Sequence, residues 1–206
     1  MRAFVVTLVI LLGLAVAGDF VARNAAENQV AARAASSLEL EDEPEVTIGG
    51  FPFLLNFARG TLPTVELAAE GVARRGITLR EVVLTLENVR FDWEALSNGS
   101  GSVRIGGGTG RALLTEDHFN DLLREQGVPA EVRVSDGAVV AIVEGAEAPA
   151  EVTLEGDSLL LSVPEVGAAY EIALPQIGSR MGYRSARLVE RGLELRVGLR
   201  AGRLEL

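Results

Sequence analysis

From Val46 to the C-terminus apolar side chains recur at alternate positions, and this pattern restricts the chain to a fold built on antiparallel sheet. Val65, Leu67 and Ala69 alternate with Glu66, Ala68 and Glu70, and Val82, Leu84 and Leu86 alternate with Val83, Thr85 and Glu87. Successive side chains of a strand point to opposite faces, so each segment presents one apolar side. The habit continues in Val132-Arg133-Val134, in Val152-Thr153-Leu154, and at Leu193, Leu195, Val197 and Leu199. Asp136-Gly137, Gly156-Asp157, Arg191-Gly192 and Ala201-Gly202 separate β-prone runs as hairpin turns do. Long alternating strands with short connections predict a large, curved antiparallel sheet that is greasy on one side.

One helix interrupts this pattern. Thr115 is a suitable N-cap, Glu116 and Asp117 suit the positive end of the helix dipole, and Leu114 is placed to staple onto Phe119. Gly127 and Pro129 end the segment, giving a helix from Glu116 to Gln126 whose apolar face carries Phe119, Leu122 and Leu123. Leu174, Ile177 and Met181 are spaced as in a second short helix over 174–183, although Pro175 and Gly178 count against it. The expected class is α+β: an N-terminal helix, then a long curved antiparallel sheet wrapped by one or two helices.

The N-terminus has its own character. Arg2 precedes an apolar block from Ala3 to Gly18, the layout of an export signal or a short membrane anchor, which places the rest of the chain in the cell envelope, outside the cytoplasmic membrane. Ala15-Val16-Ala17 satisfies a small-x-small processing site. Retention is favoured by the run into Asp19-Phe20-Val21 and an Ala-rich segment to Ala35 without Gly, Pro or Ser. Asp19, Arg23 and Glu27 lie four residues apart, so they share one helical face and alternate in sign. The expected organisation is a signal or anchor over 1–18, an Ala-rich helix over 19–38, an acidic linker over 39–45 and a β-rich domain over 46–206. The linker, Glu39 to Glu45, lacks the Gly and the alternating oxygen ligands of a calcium loop and reads as a solvated connection.

Composition removes several function classes. The formal charge of -10 argues against nucleic acid, and against adhesion to anionic lipid by broad charge attraction, so any lipid contact is expected to be mainly apolar. With no Cys, neither disulfides nor thiol chemistry contribute. His118 is the only histidine, on the first turn of a helix, so no zinc set is complete and neither a metal nor a cofactor is expected. Gly178-Ser179-Arg180-Met181-Gly182 has its serine one place too early for a nucleophile elbow. Gly106-Gly107-Gly108-Thr109-Gly110 has no Lys and strand-like neighbours, so it reads as a bend or bulge in the sheet and not as a phosphate loop. Asn98-Gly99-Ser100 matches a glycosylation acceptor but lies in an ordinary Gly/Ser turn. No catalytic set is complete, and an enzyme is not expected.

The segment that stands out is Ile48-Gly49-Gly50-Phe51-Pro52-Phe53-Leu54-Leu55, followed by Phe57. Gly49-Gly50 lets the backbone turn and Pro52 fixes it, so the rings are aimed individually. Two readings stand side by side: a plug in the core, or an apolar lip that meets acyl chains or a bilayer surface.

At these residues the chain resembles the LmeA family of actinobacterial envelope proteins, whose members resemble the tubular lipid-binding (TULIP-like) fold. The likeness rests on Ile48-Gly49-Gly50-Phe51-Pro52-Phe53-Leu54, on the apolar N-terminus running into Asp19, on Leu113-Leu114-Thr115 leading into a helix with Leu122-Leu123, and on Gly192-Leu193. It departs at Asn56-Phe57, where a more polar pair is expected. The resemblance implies phospholipid binding, with a role in maturation of mannan-containing glycolipids in at least one member. The favoured function is therefore an envelope protein holding acyl chains of a phospholipid in an apolar groove, with the membrane met through the N-terminal segment. The groove candidates are Phe51, Phe53, Leu54, Leu55, Phe57, Phe119, Leu122, Leu123, Ile177 and Met181; Arg59, Arg180 and Arg184 are candidates for a head-group phosphate, since Arg suits bidentate contact. The alternative is a solid, non-enzymatic scaffold that docks a protein partner through its Phe-rich segment.

Overall fold

The computed structural model describes residues 2–38, 40, 42–74, 77–92, 102–135, 137–175, 177 and 179–205. In chain order the elements are α1 (Arg2–Leu38), β1 (Glu45–Gly49), α2 (Phe53–Ala58), β2 (Thr61–Arg74), β3 (Ile77–Phe91), β4 (Ser102–Ile105), β5 (Gly107–Leu114) and α3 (Glu116–Glu125). There follow β6 (Ala130–Ser135), β7 (Ala138–Val143), β8 (Ala146–Glu155), β9 (Ser158–Val163), β10 (Ala168–Ala173), β11 (Met181–Val189), β12 (Gly192–Leu199) and β13 (Gly202–Glu205). The class is α+β, as expected. Helix α1 runs unbroken through the apolar block and the Ala-rich segment, which contain no Pro and are rich in strong helix formers.

The strands form two antiparallel sheets. The larger is ordered β1-β2-β3-β5-β12-β11, with β4 pairing both β3 and β13; the smaller is a five-stranded meander, β10-β9-β8-β7-β6. In the larger sheet the register aligns the apolar residues that alternate in sequence. Leu67 lies opposite Leu84, Leu84 opposite Gly110, Gly110 opposite Val197 and Val197 opposite Tyr183. Ala69, Val82, Ala112, Leu195 and Ala186 make a parallel row, and Val65, Leu86, Gly108, Leu199 and Met181 another. These rows share one face, and Glu66, Thr85, Thr109, Arg111 and Arg196 occupy the other.

A short helix is expected over 174–183, but among the described residues of that segment none is helical. Met181 and Tyr183 pair with Leu199 and Val197 at the start of β11, and Pro175 offers no N–H, so the sheet ladder takes the end of this segment. Helix α3 does form, with the Thr115 hydroxyl accepting from the His118 N–H at 3.5 Å and Gly127 leaving it at φ +68°. It packs Phe119, Leu122 and Leu123 between Leu114, Leu193 and Leu195 of the larger sheet and Val132, Leu159, Leu161 and Ile172 of the smaller. Fully burying one such side chain is worth roughly 1.5–3 kcal/mol, so this dense layer fixes how the sheets stack. The buried Asn120 amide directs it: its Oδ1 accepts from the Val132 N–H at 2.7 Å and its Nδ2 donates to the Val132 carbonyl at 2.8 Å.

A second, separate core lies at the other end of the larger sheet. There Ala22, Ala26 and Ala31 of α1 and Phe53 and Phe57 of α2 pack over Val46, Ile48, Leu62, Val89 and Ile105. Small alanines let α1 approach the strand closely.

Candidate functional site

Between the two cores the apolar face of the larger sheet has no complete cover. Val82, Leu84, Val197 and Met181 are half-buried and belong to neither core, while Leu67, Leu86 and Leu199 lean on the second core and Tyr183 on the first. The middle of β5 contributes Gly108 and Gly110 to this face, so its centre carries no side chains while Leu84 and Val197 stand on either side. The room is tight at Gly110: a Cβ there would sit 2.6 Å from Val197 Cγ2. The glycine run read from the sequence as a bend or bulge bends at Gly106, and from Gly107 onward its glycines lie within β5, two of them as the floor of a trough.

The trough ends in a hollow of about 160 Å³ under α3, walled by Leu79, Val82, Leu84, Ala112, Met181, Tyr183, Leu195 and Val197 from the sheet and by Leu122, Leu174 and Ile177 across it. Its lining is almost wholly apolar. At roughly 30 Å³ per small group, it admits about five chain carbons, a tail end and not a whole acyl chain. Tyr183 keeps the wall apolar. Burial, reinforced by the negative charge of Asp157, pushes its hydroxyl up to about 12, and the neutral OH donates to the Pro175 carbonyl at 2.9 Å. A larger, more open hollow of about 570 Å³ with a mixed lining that includes Glu66, Arg111, Arg184, Arg196, Val83 and Leu199 lies at the opposite face, and another of about 580 Å³ lies over β7 and β8.

The residues singled out from sequence fall into three places. Leu122, Ile177 and Met181 line the hollow. Phe119 and Leu123 are buried in the dense core beside it, and Phe53 is buried in the second core, stacked on Phe57 at 5.2 Å, with Phe57 in turn 5.6 Å from Phe91. Phe51, Leu54 and Leu55 are exposed to solvent. The Phe-rich segment is thus divided between plug and lip. Of the arginines, Arg59 is exposed just after α2, and Arg180 donates to the Arg203 carbonyl beside Met181. Arg184, at a bulge in β11, lies over Gly198 on the polar face. The linings from Leu79, Ala112, Leu195 and Val197 were not singled out as site residues; the alternation marked their strands, but only the cross-strand register shows that they converge.

A polar ridge on α1 locks this end together. Asp19 accepts from the backbone N–H groups of Phe53 at 2.9 Å and Leu54 at 2.7 Å, capping α2, whose own N-cap, Pro52, has no side-chain hydrogen bond. Arg23 donates to the Gly50 carbonyl at 2.9 Å, and Glu27 accepts from the Ile48 N–H at 2.7 Å. The expected pairing of alternating charges is present only as a loose 3.9 Å contact between Arg23 and Asp19, because the three side chains bond mainly to the backbone across from them. Burial works against ionisation of Asp19, but the donors from Leu54 and Phe53 and the charge of Arg23 outweigh it and hold the carboxyl below its ordinary 3.8.

Among the described residues no three His, Asp or Glu side chains are grouped to hold a metal. Asn98-Gly99-Ser100 lies outside the described residues. A sheet whose apolar face runs into an almost wholly apolar hollow is chemically suited to a lipid-binding protein. The chain belongs to the LmeA-like phospholipid-binding family, whose model matches residues 17–204. No curated relative and no solved structure matches it.

Proposed function

We propose that this protein holds a phospholipid with one acyl chain laid along the trough and its tip in the hollow beneath α3, and that it carries such lipids within the cell envelope in support of envelope glycolipid maturation of the mannan type. One observation carries the binding geometry: the apolar face stays half-open between two filled cores and leads into an almost wholly apolar hollow. At roughly 0.8 kcal/mol per methylene, about five carbons in the hollow contribute ~4 kcal/mol, a millimolar affinity by themselves. Further carbons over Leu84, Val197 and Met181 supply the rest. Arg180, next to the trough residue Met181, and Arg59, beside α2, are the arginines placed to meet a phosphate. The test is native mass spectrometry of protein purified from membranes, followed by exchange against liposomes. Co-purified phospholipid that exchanges is the expected result; a clean apo mass with no uptake from liposomes refutes the reading.

A further inference from the structure

We infer that α2 and the adjoining turn of α1 form a pad that inserts into the surface of a phospholipid bilayer and holds the domain against it. The inference concerns docking, and it stands whether or not the trough accepts a lipid.

Four observations converge on it. The side chains of Phe51, Leu54 and Leu55 are 67, 46 and 45% exposed, and those of Phe20 and Val21 on α1 are 68 and 67% exposed. Both groups flank one point, because Asp19 binds the N–H of Leu54 directly. A charged residue at this level of the helix is accommodated because its carboxylate turns inward onto α2, leaving the side chain only 6% exposed. Between Glu45 and Glu66 there is no carboxylate at all, in a chain with 29 acids, and the sole charge in that interval is the exposed Arg59. An acidic protein thus presents an uncharged apolar surface, edged by one cation suited to lipid phosphate, at a single place.

The length of α1 says what covers this surface. Residues 3–18 extend ~24 Å as a helix at ~1.5 Å per residue, short of a ~30 Å hydrocarbon layer. Phe20 and Val21 are exposed and apolar as well, which puts the bilayer surface within one turn of Asp19, where α2 is docked. A stem shorter than the membrane core draws whatever is fixed to its end into the head groups. Because Asp19, Arg23 and Glu27 tie the stem to the domain, α2 is the element drawn in.

The absence of Cys allows a single reporter. The full chain carrying Leu54→Cys, labelled with NBD, is reconstituted in phosphatidylcholine vesicles containing doxyl-labelled phosphatidylcholine, with Glu171→Cys on exposed β10 as the reference position. The expected result is that the probe at 54 loses most of its emission to shallow doxyl groups and resists aqueous dithionite, while the probe at 171 does neither. Leu55→Cys serves as the second position should the first variant misfold. Equal quenching at 54 and 171 overturns the inference, and protection from dithionite without doxyl quenching overturns it in favour of a protein partner. Repeating the measurement in Ala112→Leu, which narrows the hollow, separates the two proposals: docking persists even where lipid uptake is lost.

Discussion

Replacing Ala112 by Leu tests the hollow through two effects of opposite sign. Ala112 is half-buried in the middle of β5, opposite Val82 on one side and Leu195 on the other, and it lines the 160 Å³ space. The substitution adds three carbons, taking up ~90 Å³ at roughly 30 Å³ each. About three methylenes of bound lipid are excluded, a loss of ~2.4 kcal/mol, or roughly fifty-fold in affinity. The protein itself gains, because filling a cavity with apolar atoms typically adds 0.5–2 kcal/mol (approximate range), and Leu substitutes without introducing a polar atom. The assay pairs titration of an acyl-labelled fluorescent phospholipid with a denaturant melt on the same preparation. A variant that melts higher and binds about fifty-fold more weakly is the expected outcome. Unchanged affinity together with raised stability refutes the reasoning, since the hollow would then be a packing defect that no lipid enters; lowered stability would show that the space was not there to fill.

Two further outcomes follow from the buried polar groups. Asn120→Ala removes both hydrogen bonds to Val132 and strands a buried N–H and a buried carbonyl, so denaturation should show a loss of about 2–4 kcal/mol, whereas lipid affinity per folded molecule should change little. Asp19 has a folded-state pKa below its unfolded value, so its contribution is complete above about pH 3.9 and disappears as pH falls through the lower, folded value. Thermal melts followed by circular dichroism from neutral pH downward should show this acid-side loss, and in Asp19→Asn that part of the pH dependence should vanish while the melting temperature at neutral pH drops.

Much of this architecture is legible before any coordinates. The alternation at Val82, Leu84 and Leu86 and at Leu193 to Leu199 identifies the strands and their greasy side, because a period of two is a local property. The Thr115 cap and Gly127 stop mark α3 for the same reason. What the sequence conceals depends on distant partners. Leu174 to Met181 carries a helical spacing, yet Met181 and Tyr183 are drawn into the ladder by β12, a tertiary preference that outweighs a weak local one. Helix α2 is too short to declare itself, and it is capped from α1 by a residue thirty-four positions away from Phe53 in sequence. The Phe-rich segment looked like either plug or lip because composition cannot say which rings face inward; the turn into α2 sends Phe53 in and leaves Phe51 out. The site itself is half-visible: the sequence offers Ile177 and Met181, but it shows Gly106 to Gly110 only as a bend or bulge, since the place of Gly108 and Gly110 depends on the register with Leu84 and Val197.

The α1 side chains that grip the domain, Asp19, Ala22, Arg23, Ala26, Glu27 and Ala31, all come after Ala17. A peptidase cutting behind that alanine would remove the apolar block and leave every one of these contacts on the folded body, so the part of the helix that grips and the part that could anchor are separate stretches of one rod.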